Sequence, residues 1–257
     1  MRKYLVVAIS ILVVAAFAGI ALGHEIVEVK DGAAIRGIVK FKGAMPADET
    51  IAIDKNIDIC GKEQKLGKYI ITGGMVKNVV VFIDNPKKGK PIPKNTTVAI
   101  RIKNCRVEPH VSVGFVGGRF IFENDDDILH TLQLKLWLEY QRKVSARPLQ
   151  DGATIYNIAF PNKGRRIEKP IKEFHRYQPD TGFIRVTSNS HPWMRGYIFV
   201  FDHPYAAVTD EKGAFVIDNI PPGEYLLKVW HEGLGWQEKK VKLSSKETAD
   251  IEIVYEK

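Results

Sequence analysis

Leu132, Leu134, Leu136 and Leu138 occupy every second position of one short run. Leucine favours helix, but this period puts all four side chains on one face of a strand and scatters them around a helix. The run therefore reads as a strand with one buried face. Comparable runs recur at Ala34–Phe41, Val79–Ile83, Val98–Ile102 and Tyr197–Phe201, and Gly, Pro, Asn and Asp punctuate them, as in Asp84-Asn85-Pro86. Many short strands with turn signals between them indicate an all-β chain built as sandwiches or barrels. Val208–Phe215 reads as strand, turn, strand, with Gly213 relaxing the turn. Pro221-Pro222-Gly223 reads as a corner where Pro fixes φ and Gly223 admits positive φ, and Leu226–Trp230 is the next strand.

The first 23 residues have a different composition. Met1-Arg2-Lys3 precedes an apolar run from Tyr4 to Leu22, which closes on Ala21-Leu22-Gly23. A basic start, an apolar stretch and a small-residue end read as a signal peptide over residues 1–23. Left uncleaved, the same run is long enough to anchor the chain in a membrane. The expected location is periplasmic, extracellular or on the outer cell surface. The formal net charge is +8, of which Arg2 and Lys3 contribute two. The remaining charges are interspersed, as on a solvated surface, and no nucleic-acid motif is present. The residual positive charge suits an acidic surface or an acidic redox protein partner; a cell-surface assembly partner goes with the metal-free module reading below.

The chain has two cysteines, Cys60 and Cys105. An oxidising compartment favours pairing them, and a bridge across a loop of this length adds on the order of 4 kcal/mol by loop entropy. The alternative is that Cys105, five residues before His110, stays reduced and binds metal.

The run Thr187-Ser188-Asn189-Ser190-His191-Pro192-Trp193-Met194-Arg195 carries an imidazole and a thioether three residues apart. Upstream lie Cys105-Arg106-Val107-Glu108-Pro109-His110-Val111 and Asn124-Asp125-Asp126-Asp127-Ile128-Leu129-His130. In order and spacing these three pieces resemble the cupredoxin-like proteins, small Greek-key β-sandwiches that bind copper for electron transfer. The resemblance implies His130, His191 and Met194 as metal ligands and copper as the metal. It also implies a Cys thiolate where this chain has Ser188. A hydroxyl stays protonated near neutral pH, and blue-copper sites need the thiolate. The site is therefore expected to be an altered one, able to bind Cu(I) or hydrated Cu(II) but poorly suited to fast electron transfer.

Residues Ala207–Gly233 are similar to the carboxypeptidase regulatory-like domain, a transthyretin-like β-sandwich. The matching residues are Thr209-Asp210, Gly213, Phe215, Pro221-Pro222-Gly223 and Tyr225. Such domains pack and bind without catalytic residues. Together with Asp202-His203-Pro204-Tyr205 and Trp230-His231-Glu232, these motifs resemble a group of exported bacterial and archaeal proteins. The implied division is a signal peptide at 1–23, N-terminal strands at 32–95, a cupredoxin-like domain at 96–203 and a regulatory-like domain at 204–257. Gly37-Ile38-Val39 and Val79–Ile83 would supply the opening strands of the second sandwich, with the cupredoxin-like part inserted between its halves.

His110, His203 and His231 are read as donors that orient the ligands or as a second metal site, against the plainer reading of satisfied buried imidazoles. A His24 exposed by signal cleavage would chelate Cu(II) through its amine and ring, given a third nitrogen. Asp125-Asp126-Asp127 reads as a polar turn ahead of Ca²⁺ binding. His231-Glu232 lacks the second His of a zinc-protease helix. No nucleophile elbow, phosphate loop or dinucleotide fingerprint is present, so the chain is expected not to be an enzyme. The competing expectation is a metal-free β-sandwich module for binding or assembly.

Overall fold

The computed structural model describes residues 24–137, 153–172 and 183–256. The expected signal segment and Leu138 lie outside them. The described chain is almost entirely β, with one helical turn at Ile57–Cys60. No helix among the described residues is long and apolar enough to cross a membrane.

One pair of sheets is drawn from residues 97–201. Its four-stranded sheet runs Arg106–Glu108, Thr97–Lys103, Arg119–Asn124, Arg166–Pro170. Its five-stranded sheet runs Val111–Phe115, Arg195–Phe201, Phe183–Thr187, His130–Trp137, Thr154–Phe160. Two pairings are parallel, Arg119–Asn124 with Thr97–Lys103 and Val111–Phe115 with Arg195–Phe201. The leucine run is a strand: Leu132, Leu134 and Leu136 are buried and alternate with half-exposed Gln133 and Lys135. Leu132 and Leu134 pack with Ile100, Phe120, Phe122 and Phe160.

A second pair of sheets combines residues 33–83 with residues 206–256. One sheet runs Ala206–Val208, Val80–Ile83, Gly223–His231, Gly235–Leu243. The other centres on Ala33–Lys42, which pairs with Ala214–Ile220 on one side and, in parallel, with Thr248–Glu256. Ile35, Val39, Val81, Ile83, Phe215, Leu227 and Ile253 share its core.

The most apolar strands among the described residues are those caught between the two sandwiches. All four residues of Val80–Ile83 are buried. Val81 and Ile83 face the second core, whereas Val80 and Phe82 join a third cluster with Phe183, Phe199, Phe201 and Trp230. Arg195–Phe201 divides the same way, with Ile198 and Val200 in the first core and Tyr197, Phe199 and Phe201 in the shared layer. A strand covered on both faces needs no polar alternation, which is why these runs are continuous.

Two turns refine the expectations. Gly213 takes φ +66, and a Cβ there would meet the Val39 carbonyl oxygen at 2.5 Å, so this turn requires glycine. At the Pro221-Pro222 corner the positive φ falls on Asn219, at 51°, and not on Gly223, which starts the next strand. An Asn side chain tolerates that region through local hydrogen bonding.

Between the first strands of the second sandwich the chain makes an excursion. Thr50–Ala52 pairs with Glu63–Lys65, and Ile53, Cys60 and Leu66 bury in the first core. Cys60 is joined to Cys105 in a disulfide, so Cys105 does not offer a free thiolate in this structure and the alternative reading of it is corrected. Cys105 sits with Asn104 in a two-residue hairpin turn, at φ 57° and 49°. Such turns need two positive φ values, and Asn is a preferred residue at the first.

Candidate metal centre

His130 and His191 meet in the first core. His130 opens the strand His130–Trp137 and is fully buried; His191, in the loop before Arg195–Phe201, is 1% exposed. Their Nδ1 atoms lie 3.0 Å apart. Each outer nitrogen faces an oxygen: His130 Nε2 is 3.0 Å from Asp126 Oδ2, and His191 Nε2 is 3.1 Å from Asn56 Oδ1. An oxygen acceptor holds the proton on the nitrogen it faces. With both Nε2 atoms protonated, the two Nδ1 lone pairs face each other and a cation would bridge them; with the Asn56 amide rotated, one Nδ1–H donates to the other Nδ1 instead. Two nitrogens bound about 2.0 Å from one tetrahedral metal sit about 3.3 Å apart, close to the spacing seen. An imidazole whose other nitrogen donates to a carboxylate or an amide oxygen is the usual orientation of a metal ligand.

Burial disfavours the charged ring in both residues. It lowers the pKa of His130 against the opposing pull of Asp126. It takes His191 down to about 4, and the neighbouring His130 adds to the shift. The pair is therefore neutral at neutral pH and offers lone pairs.

Asp126 is the hub of the surrounding network. Its Oδ1 accepts the Asn104 N–H at 2.7 Å, and its Oδ2 accepts the Cys105 N–H at 2.8 Å as well as His130. Asp126 is 5% exposed, so the acidic run is a polar turn whose middle carboxylate turns inward. Asn56 precedes the single helical turn at φ 51°. The sequence reading missed both residues: Asp126 was legible only as part of a polar run, and Asn56 carries no local signal.

Ser188, at the position where the resemblance implies a thiolate, is buried and shapes the loop. Its Oγ accepts the His191 N–H at 3.2 Å and lies 3.1 Å from Ser190 Oγ. Met194 is 2% exposed and packs in the same cluster as Cys60, Cys105 and Trp193. The sulfurs of Cys60 and Cys105 and a ring nitrogen of His191 lie within 4.8 Å of one another. Cys105 Sγ, an Asp126 oxygen and a His130 nitrogen form a second group of that size. A cavity of about 650 Å³ reaches Cys105, Trp193 and Met194 from the surface, and Lys65, Arg106 and Arg195 line it.

The remaining histidines are placed elsewhere. His110 Nε2 donates to Glu232 Oε1 at 2.9 Å, between the sandwiches. His203 Nδ1 accepts the Tyr205 N–H at 3.2 Å, and burial takes its pKa to about 3. His231 Nδ1 accepts the Gly233 and Leu234 N–H groups, and burial takes its pKa to about 4. His24 Nε2 contacts the Lys90 carbonyl oxygen at 2.9 Å, with its ring 6.3 Å from that of His203. Among the described residues, none of these four joins a cluster of three His, Cys, Asp or Glu donor groups.

The two neutral imidazoles are donors that suit copper, and Met194 is buried in the hydrophobic core cluster beside them. With the disulfide closed the site contains no thiolate, so it does not fit a blue-copper centre.

Comparison with known proteins gives partial and distant similarities. A family model described as polysaccharide lyase family 4, domain II matches residues 182–251, well under half of the chain. That segment runs from the last strands of the first sandwich into the C-terminal strands of the second and leaves out its strands at residues 33–83. No curated protein matches. Among solved structures, a Cu-containing nitrite reductase from Thermus scotoductus is similar at 16% identity and TM-score 0.28, over 44% of this chain and 26% of that one. The match thus spans about a quarter of that enzyme. A purple cupredoxin from Nitrosopumilus maritimus is similar at 21% identity and TM-score 0.28, over 40% of this chain and 99% of that one. Amicyanin from Paracoccus versutus is similar at 16% identity and TM-score 0.26, over 43% of this chain and 85% of that one. At TM-scores of 0.26 to 0.28 these likenesses carry neither the fold nor the activity of those proteins over to this chain.

Proposed function

We propose that this chain is an exported, non-catalytic metal-binding protein of cupredoxin-like build, with a copper-type site held by His130 and His191. The observation that supports this most is the pair of Nδ1 atoms 3.0 Å apart, each on a ring whose outer nitrogen is held by an oxygen. Met194 is the thioether of the site. Asp126 and Asn56 orient the two rings, and the Ser188 hydroxyl sets the path of the His191 loop. Full burial excludes bulk water from the imidazoles. Copper bound there would supply one-electron chemistry. Without a thiolate such a site reorganises between oxidation states, so we assign it to metal holding or redox association ahead of fast electron carriage.

The division of the chain belongs to the same reading. The cupredoxin-like part, residues 97–201, is inserted into a second sandwich made from the residues before and after it. The turn at Thr209-Asp210 and Gly213 and the corner at Pro221-Pro222-Gly223 make that second sandwich a regulatory-like packing module. Its partners are an exported redox protein or a cell-surface assembly.

A second reading has its own support. If the Asn56 amide is rotated, His191 Nδ1–H donates to His130 Nδ1, and two neutral rings satisfy each other in a metal-free module. Calorimetric titration with Cu²⁺, followed by spin resonance, separates the two. The copper reading expects one equivalent bound with hyperfine coupling to two nitrogens, lost in His191→Ala while circular dichroism keeps its β signature. Absence of stoichiometric binding, or binding unchanged in His130→Ala and His191→Ala, overturns it in favour of the metal-free module.

A further inference from the structure

We infer that the Cys60–Cys105 disulfide is a redox lock on a second ligand set in the same core. Its reduction creates a two-thiolate, two-imidazole site for a thiophilic ion such as Zn²⁺, formed by Cys60, Cys105, His191 and His130. The inference takes from the preceding reading only the convergence of the two imidazoles, and it concerns a different oxidation state of the protein.

Three observations carry it. Both sulfurs lie within 4.8 Å of a His191 ring nitrogen, and Cys105 Sγ also lies within 4.8 Å of a His130 nitrogen, so Cys105 is common to both groups. Tetrahedral sites with these donors place ligand atoms about 3.3–3.8 Å apart, so small side-chain movements close the set once the S–S bond is gone. The four residues come from different parts of the chain but are held from behind. Gln64 Nε2 donates to the Cys60 and Asn104 carbonyl oxygens at 2.8 Å each, Cys105 N–H donates to Asp126, and the outer ring nitrogens face Asp126 and Asn56. These contacts do not use the sulfur atoms and survive reduction. The third observation is access. The disulfide is buried, with Cys60 at 4% and Cys105 at 0% exposure, but Cys105 borders the cavity of about 650 Å³.

The chemistry balances with a dithiol as reductant. A thiolate of the dithiol attacks one sulfur of the bridge, the S–S bond breaks, and the second thiol of the dithiol resolves the mixed disulfide. Two electrons and two protons pass to Cys60 and Cys105, and the dithiol leaves as its own disulfide. Metal uptake then displaces the two thiol protons to solvent, and soft thiolate donors favour Zn²⁺ or Cu(I) over hard cations. A disulfide as oxidant reverses the process by thiol–disulfide exchange: the Cys60–Cys105 bond re-forms, the incoming disulfide takes up the two electrons and leaves as its dithiol, and the ion is expelled.

The test uses the whole protein and Co²⁺ as a spectroscopic probe. After reduction with a phosphine and confirmation of two free thiols, the protein should bind one equivalent of Co²⁺ with intense visible bands and near-ultraviolet sulfur-to-cobalt charge transfer. The oxidised protein should show no sulfur band. In parallel, equimolar Zn²⁺ should slow alkylation of Cys60 and Cys105 at least tenfold in the reduced protein and give no protection in His191→Ala. The alkylation assay decides the matter even if reduction loosens the fold. Reduced protein that shows neither charge transfer nor alkylation protection overturns the inference. Copper binding by the oxidised protein is measured separately, so its loss would sink the preceding reading without touching this one.

Discussion

Both sandwiches bury histidine, but they treat its lone pairs differently. In the link that leads into the second sandwich, His203 Nδ1 accepts the Tyr205 N–H, and within that sandwich His231 Nδ1 accepts two N–H groups of its own turn. Each lone pair is spent on the backbone, and each ring acts as a turn-capping group. In the first sandwich, His130 and His191 turn their Nδ1 atoms on each other and their Nε2 atoms outward to oxygen. A buried imidazole is a ligand candidate only when its free lone pair is not already taken by an N–H. Burial lowers the pKa of all four rings, so the distinction lies in geometry and not in titration.

The largest predicted effect is on the disulfide, which ties the excursion Thr50–Lys65 to the first sandwich. Cys60→Ser removes a cross-link spanning 45 residues and should cost about 4 kcal/mol in denaturant unfolding. No comparable tie exists among the described residues of the second sandwich. A loss below about 1 kcal/mol would show that packing of Ile53 and Leu66 already fixes the excursion.

Asp126→Asn and Glu232→Gln sharpen the contrast between the histidines. Both substitutions remove a carboxylate facing a His Nε2. Asp126→Asn should weaken Cu²⁺ binding by about 10- to 100-fold, as expected for the partner that orients a ligand ring. Glu232→Gln should leave it within about twofold, because His110 lies outside the site. Equal losses in the two variants would erase the distinction.

The pH dependence of stability tests the two turn-capping histidines. His203 and His231 have folded pKa values of about 3 and 4, below the ordinary value of 6.5. Below pH 6.5 the unfolded chain binds protons that the folded chain refuses, so stability falls as the pH drops towards 4. The slope approaches about 1.4 kcal/mol per pH unit for each ring. Removing one ring with His203→Gln should reduce the slope between pH 6 and 4. A slope unchanged in that variant would mean that His203 titrates normally.

The smallest effect is expected at Ser188. Ser188→Ala removes the acceptor for the His191 N–H and should cost about 1 kcal/mol, measured as a shift in the denaturant midpoint. A much larger loss would make the hydroxyl a central part of the site and not a local loop bond.

The sequence alone determined the strands. A period of two, as in Leu132–Leu136, is a local property that survives any tertiary arrangement. Turn chemistry was legible for the same reason, although the strained residue at the Pro221-Pro222 corner proved to be Asn219 and not Gly223. The two cysteines could be counted, and His130, His191 and Met194 could be named by resemblance. What only the tertiary structure decided is what those side chains face. Asn56 lies 135 residues from the His191 ring it holds, and although Asp126 is only four residues before His130, no local pattern says that its carboxylate turns inward to that ring. The neighbouring disulfide is equally non-local, since Cys60 reaches the site through an excursion from the strands of the other sandwich. Backbone period is written residue by residue, whereas the direction of a lone pair depends on every element packed around it.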